Sequence, residues 1–203
     1  MRLRYTQNSI MSEHYFTSDT HYNHKNICLG VSQWSNTSGC RKFNRLEDMN
    51  DCIVQNINDT VKEDDVLHIL GDFAFGGYNS IVEFRQKINC KNLYLIYGNH
   101  DKLIQRKPEL QALFKKCYNV KHFKLSNQEM FLFHYALKVW DKSHHGCWHL
   151  YGHSHGSLPD DPHSLSMDVG FDVRNKPFAF DELRDIMSRK QWRQIDHHNE
   201  DTN

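Results

Sequence analysis

The segment Leu95-Ile96-Tyr97-Gly98-Asn99-His100-Asp101 brings an apolar run directly before an amide, an imidazole and a carboxylate. A short apolar run that stops at a glycine is typical of a strand buried on both faces of a parallel sheet. All three polar side chains that follow can bind a metal ion, and two of them can also transfer a proton. The segment therefore predicts a buried strand that ends in a functional loop.

Four other segments of the chain repeat this pattern. The apolar runs at 14–18, 66–70, 131–133 and 148–151 lead into Asp19-Thr20-His21, Gly71-Asp72, His134 and Gly152-His153-Ser154-His155. In open α/β sheets, sites form in the crevice beyond the carboxyl ends of the strands. A single histidine near a strand end is usually a hydrogen-bonded core residue, but five such strand ends together predict one shared site.

The five motifs resemble those of the calcineurin-like metallophosphoesterases. That family has D-x-H, G-D, G-N-H-D or G-N-H-E, an isolated His and G-H-x-H, and this chain has all five in the same order between Asp19 and His155. The segments 19–27 and 71–76 are most similar to a small branch without a cap domain from bacteria and their phages. The resemblance implies a four-layer α/β sandwich, in which two mixed sheets pack face to face between helices.

The resemblance also implies a site for two divalent metal ions at the strand ends. Asp19, His21 and His155 would hold one ion, Asp72 would bridge, and the second ion would be held by Asn99, His134 and His153. Mixed nitrogen and oxygen ligands suit Mn, Fe, Zn or Ni better than Ca. Of these metals, Mn is the one expected to support activity.

Such a site would hydrolyse a phosphate monoester or diester. By resemblance, a hydroxide bridging the metals would attack phosphorus while His100 acts as the general acid and Asp101 orients it. Arg41 is the best candidate for binding the substrate phosphate, because a guanidinium can pair two phosphate oxygens at once. His24 and Asn26 follow the first motif closely and are further candidates for substrate binding.

Several functions remain open within this interpretation. A small phosphodiester or a nucleotide is the favoured substrate. A protein phosphatase usually has G-D-x-x-D-R-G and G-N-H-E, whereas residues 71–77 lack Asp-Arg and the third motif ends in Asp101. A nuclease relative would need a capping domain and a basic groove. A metal-binding scaffold without turnover is the alternative outside catalysis, and the presence of His100 argues against it.

Composition limits the partners and the setting of the protein. The 203 residues suit one domain, with 1–12 and 196–203 expected as loose termini. Lys plus Arg equals Asp plus Glu at 25 each, so strong binding of duplex nucleic acid is not expected. No segment resembles a signal peptide or a membrane span, and the six cysteines form no C-x-x-C pair, which favours a cytoplasmic protein without membrane contact. The sequence leaves the oligomeric state open.

The remaining periodicity predicts the order of strands and helices. Strands are expected at 14–17, 66–70, 93–97, 120–125, 130–134, 148–151 and 164–173. Helices are expected at 46–61, from an N-cap at Ser80, in pieces over 102–116, and after a turn at 175–181. The polar segment 28–44 is expected to form a loop over the site.

Overall fold

Nine strands form two sheets in the computed structural model, which describes residues 12–195. The strands are β1 His14–Thr17, β2 Val66–Ile69, β3 Asn92–Ile96, β4 Lys116–Tyr118, β5 Lys121–Leu125, β6 Gln128–Leu132, β7 Trp148–Tyr151, β8 Ser166–Asp168 and β9 Phe178–Ala179. The helices of the same range are α1 Leu46–Thr60, α2 Tyr78–Lys87, α3 Lys102–Arg106, α4 Pro108–Gln111 and α5 Phe180–Ser188. The predictions for 1–11 and 196–203 lie outside the described residues.

Both sheets are mixed, and helices flank them, as expected for the α/β sandwich. The first sheet has the order β4-β3-β2-β1-β9, in which only β9 is antiparallel to its neighbour. The second has the order β5-β6-β7-β8, in which β5 and β6 are antiparallel and the other pairs are parallel. The parallel strands therefore bring several carboxyl ends to one edge of each sheet.

Alternate residues of the central strands face two separate cores. In β2, Leu67 and Ile69 belong to the core that includes Met49 and Ile53 of α1. Leu70, one residue beyond β2, joins the other core, which includes residues of β1, β3, β6 and β7. Burial on both sides explains why these strands read as continuous apolar runs rather than as alternating ones.

Backbone pairing connects the two sheets at the edge where the predicted motifs lie. Ser18, just after β1, forms an isolated parallel bridge with Gly170, just after β8. The N–H of Phe171 donates to the carbonyl oxygen of Ser18 at 2.9 Å. The motifs of both sheets are consequently held against one another by main-chain hydrogen bonds.

Most predicted elements are confirmed, but four differ from the structure. Helix α2 begins at Tyr78 after Gly77, whose φ is 82°, so Ser80 lies inside the helix and is not its N-cap. The strand predicted at 164–173 shortens to β8, because Asp168 accepts the N–H of Gly170 at 2.8 Å and turns the chain. Strand β9 lies in the segment predicted as a turn, and β4 overlaps the segment predicted as helical only at Lys116. Both are short edge strands that form by pairing with β1 and β3.

No helix within residues 12–195 combines the length and the apolar character that crossing a bilayer requires.

Candidate metal centre

The loops after five strands converge at the edge where the two sheets meet. Asp19 and His21 follow β1, Asp72 follows β2, Asn99 follows β3, His134 follows β6, and His153 and His155 follow β7. The N–H groups of Asp19 and His21 donate to the carbonyl oxygens of Gly71 and Asp72, both at 3.0 Å. The N–H of His153 donates to Oδ2 of Asp19 at 2.8 Å, so the first and last motifs touch. The structure thus brings all seven predicted ligands together.

Strained backbone marks the same positions. Nine non-glycine residues have positive φ in the described chain, and five of them are predicted ligands: Asp19, His21, Asp72, His153 and His155. Their φ values lie between 49° and 65°, in the left-handed region that L-residues rarely adopt. Conformations of this kind cost about 1–3 kcal/mol each and cluster at functional sites. At these five positions the left-handed backbone accompanies side chains that lie close together at the predicted site.

Asp19, His21 and His155 form the first ligand set. Nε2 of His21 lies 3.7 Å from Oδ1 of Asp19 and 3.1 Å from Nε2 of His155. Nδ1 of His155 lies 2.6 Å from Oδ2 of Asp172, which assigns the proton to Nδ1 and leaves the Nε2 lone pair facing the set. Oδ1 of Asp19 is buried and has no hydrogen-bond partner among the described residues. These facing lone pairs fit a cation.

Asp72, Asn99, His134 and His153 form the second set. Nδ1 of His134 lies 2.7 Å from the carbonyl oxygen of Leu70 and must donate to it. Nε2 of His134 then presents its lone pair at 3.0 Å from Oδ1 of Asn99 and 3.5 Å from Oδ2 of Asp72. As in the first set, hydrogen-bond acceptor atoms face one another here. These nitrogen and oxygen atoms suit a transition metal or Zn.

One carboxylate stands between the two sets. Oδ2 of Asp72 is 3.7 Å from Nε2 of His21 and 3.5 Å from Nε2 of His134. Its other oxygen accepts the N–H of His100 at 2.9 Å. Burial alone would raise the pKa of Asp72, but His134 and His21 in their protonated forms and the N–H of His100 outweigh it and lower the pKa to about 2. Burial raises the pKa of Asp19 to about 6.

Asp101 holds the loops of the site and does not orient His100. Its carboxylate accepts the N–H groups of Asp72, Phe73 and Gly98 at 2.8 to 3.0 Å. Asp101 is only 1% exposed, and burial raises its pKa to about 6. The predicted contact with His100 was wrong because both carboxylate oxygens are occupied by the backbone of the loops after β2 and β3.

Arg41 also has a structural role, and the predicted phosphate clamp was wrong. Its Nε and Nη2 donate to the two oxygens of Asp172 at 2.8 and 2.9 Å. Its Nη1 and Nη2 donate to the carbonyl oxygens of Thr20 and Asp19 at 2.8 and 2.6 Å. The side chain is buried and packs 4.8 Å from the ring centroid of Phe171. Arg41 therefore ties the first metal motif to Asp172.

Asp172 is the site residue that sequence reasoning missed. It accepts from both Arg41 and His155, and these hydrogen bonds hold its pKa well below the usual range although burial opposes them. A carboxylate that receives the second nitrogen of a ligating histidine fixes the orientation of the ring. No motif surrounds Asp172, and its separation from Arg41 by 131 positions leaves no local signal.

The other predicted functional residues lie around the rim. His100 is exposed, with its ring centroid 5.8 Å from that of His21 and 4.7 Å from that of Phe75. His24 accepts the N–H of Ile27 on Nδ1 at 3.1 Å, which leaves Nε2 as its second polar atom. Asn26 accepts the N–H of Gln33 on Oδ1 at 3.2 Å and so supports the loop. Substrate contact by His24 or Asn26 stays a prediction.

Comparison with known proteins decides the family. The family model for calcineurin-like phosphoesterases matches residues 15–202. The chain belongs to the calcineurin-like phosphoesterase family. This phosphoesterase is 28% identical over 187 residues to an uncharacterised protein of Methanocaldococcus jannaschii, covering 88% of this chain and 93% of the relative.

Two solved structures are similar to this chain. A protein of unknown function from Aquifex aeolicus superposes with a TM-score of 0.63 at 20% identity, over 86% of this chain and 99% of the other. A lower TM-score of 0.46, at 19% identity, relates 78% of this chain to 83% of an archaeal phosphodiesterase. The first of these similarities establishes the common fold.

Proposed function

We propose that this protein uses two divalent metal ions to hydrolyse a small phosphodiester or a nucleotide. The position of Asp72 carries the proposal. A single oxygen of its carboxylate faces His21 of the first ligand set at 3.7 Å and His134 of the second at 3.5 Å. A bridging carboxylate is the feature that distinguishes a dinuclear site from two independent ones.

The residues present fit such a pair of ions. Asp19, His21 and His155 would hold one, Asn99, His134 and His153 the other, and Asp72 both. When bound, the ions would neutralise charge on the phosphoryl oxygens and lower the pKa of water at the site. The buried, unpartnered Oδ1 of Asp19 supports this assignment, because an unpaired buried polar atom is otherwise destabilising by about 1–3 kcal/mol.

His100 is proposed as the general acid on the leaving oxygen. Its backbone N–H is fixed on Oδ1 of Asp72, while its side chain is exposed beside the rings of His21 and Phe75. An imidazole in this place can give a proton to a substrate oxygen that enters from solvent. Asn99 contributes a neutral ligand, which limits negative charge in a site that must accept a phosphate.

The test is hydrolysis of bis-p-nitrophenyl phosphate and p-nitrophenyl phosphate after loading with Mn, Fe, Zn or Ni. We expect turnover that is lost on chelation and in Asp72→Asn. Asp65→Asn is the matched control, because Asp65 is a buried carboxylate just before β2 that lies outside the predicted site and accepts the N–H groups of Glu13 and Lys62. The control is expected to keep turnover.

Two results would contradict the proposal. Turnover in Asp72→Asn equal to that of the unmodified protein would remove the bridging role. Bound metal without hydrolysis of either ester would favour a metal-binding scaffold instead.

A further inference from the structure

A cavity of about 430 Å³ opens directly beside the metal centre. His153 and His155 form one wall, and Ile27, Trp34, Ser154 and Ser157 are among the other lining residues. Its volume lies within the range of about 300–1,000 Å³ that is usual for small-molecule sites. Because two predicted metal ligands line it, a phosphate at the ions would place the rest of a substrate in this cavity.

Trp34 is presented to the cavity by a loop with fixed backbone. Its side chain is 48% exposed and lines the cavity. The N–H of Arg41 donates to the carbonyl oxygen of Ile27 at 2.7 Å, and that of Leu29 donates to the carbonyl oxygen of Arg41 at 3.0 Å. These bonds close the base of the loop that carries Trp34, which limits the backbone freedom lost on binding.

A row of rings leads from Trp34 to the proposed general acid. The ring centroid of Trp34 lies 5.8 Å from that of His24, and His24 lies 3.7 Å from Phe75. Phe75 in turn lies 4.7 Å from His100. A continuous row of aromatic rings therefore runs from Trp34 in the cavity lining to His100.

The cavity lining carries little charge of its own apart from the predicted ligands. Arg41 and Asp172, which also line it, are paired with one another through two hydrogen bonds. The remaining lining residues named above contribute an indole face, an aliphatic side chain and two hydroxyl groups. This combination suits a flat, uncharged ring with polar edges better than a second phosphate, a sugar or a long alkyl chain.

We propose that the cavity binds the base of a nucleotide substrate, with the base stacked on Trp34 while the phosphate lies at the metal centre. The inference rests on the proposed function, because it takes the phosphate to be held by the two ligand sets. Stacking on an aromatic side chain contributes about 1–3 kcal/mol per base. It tolerates different bases, because every base has a π-face.

The test compares two diesters with the same leaving group, a nucleoside 5′-p-nitrophenyl phosphate and methyl p-nitrophenyl phosphate. Trp34→Ala is expected to lower kcat/KM for the nucleoside ester by about 5- to 150-fold and to change the methyl ester less than about twofold. Trp34→Phe should restore most of the loss. Trp192→Ala is the control, because Trp192 is 38% exposed and lines a different cavity.

Binding gives a second readout that does not need turnover. A nucleoside 5′-monophosphate should quench the tryptophan fluorescence of the unmodified protein and of Trp192→Ala, but not that of Trp34→Phe. Equal losses on both diesters in Trp34→Ala, or quenching that persists in Trp34→Phe, would overturn the base site. Hydrolysis of methyl p-nitrophenyl phosphate by the unmodified protein would then still support the proposed function, so the two failures can be told apart.

Discussion

Replacing Asp172 by asparagine should weaken one metal site and spare the other. In the structure, Asp172 accepts from Nδ1 of His155 at 2.6 Å and from Nε and Nη2 of Arg41 at 2.8 and 2.9 Å. Asparagine keeps the shape but removes the charge and one acceptor. The ring of His155 then loses the carboxylate that keeps its proton on Nδ1 and its Nε2 lone pair toward Asp19.

The expected size follows from these contacts. Loss of a carboxylate behind a ligating histidine typically lowers metal affinity by about 10- to 100-fold, or about 1.4–2.7 kcal/mol. The free energy of unfolding should also fall by about 1–3 kcal/mol, because Arg41 is buried and loses its charged acceptor. It does not become fully unpaired, since the carbonyl oxygens of Thr20 and Asp19 still accept from it.

Calorimetric titration with Mn²⁺ measures this effect, with circular dichroism to establish that the variant is folded. The unmodified protein should bind two ions, and Asp172→Asn should bind one with nearly unchanged affinity and the other weakly. Glu182→Gln is the matched control: Arg174 donates to Glu182 at 3.1 and 2.8 Å and packs 4.0 Å from the ring centroid of Phe178. This pair repeats the arrangement of Arg41, Asp172 and Phe171 without a metal ligand.

Two unchanged sites in a folded Asp172→Asn protein would refute the reasoning. So would equal weakening of both sites, which would mean that the substitution acts through general loss of structure. Loss of one ion in the Glu182→Gln control would lead to the same conclusion.

Three further predictions concern the acid, the loops and the core. His100→Ala should keep its metal and lose about 10²- to 10⁴-fold in kcat on esters with poor leaving groups; unchanged kcat would exclude His100 as the acid. Gly98→Ala should impair metal binding in a titration and lower the free energy of unfolding by about 1–3 kcal/mol, because a new Cβ would lie 2.6 Å from the backbone nitrogen of Asp72. Gly39→Ala is the control: its Cβ would meet nothing within 4 Å, so metal binding and stability should stay intact. Burial holds the pKa of His68 well below 6.5, so the unfolded chain takes up the proton first and stability falls by about 1.4 kcal/mol per pH unit below about pH 6.5. Urea unfolding of His68→Phe at pH 7 and pH 5 should show a shallower decline, and an unaltered one would contradict this assignment.

The sequence alone predicted those strands and helices whose burial leaves a regular pattern of apolar residues. The apolar runs before Asp72 and Asn99 predicted β2 and β3, because strands covered on both faces need continuous apolar residues. The spacing of Leu46, Met49 and Ile53 predicted α1 in the same way. The seven predicted ligands came from the resemblance of the five motifs to a known family, and the structure places those side chains together at one edge of the sheets.

Only the tertiary structure decided what the charged residues around those ligands do. The sequence predicted that Arg41 binds the substrate phosphate. In the structure its guanidinium is instead paired with Asp172, 131 positions further along the chain, and supports the first motif. The sequence predicted that Asp101 orients His100, but in the structure its carboxylate accepts hydrogen bonds from three backbone N–H groups of the surrounding loops. A charged side chain is paired by whatever the fold brings near it, and such long-range proximity leaves no period in the sequence.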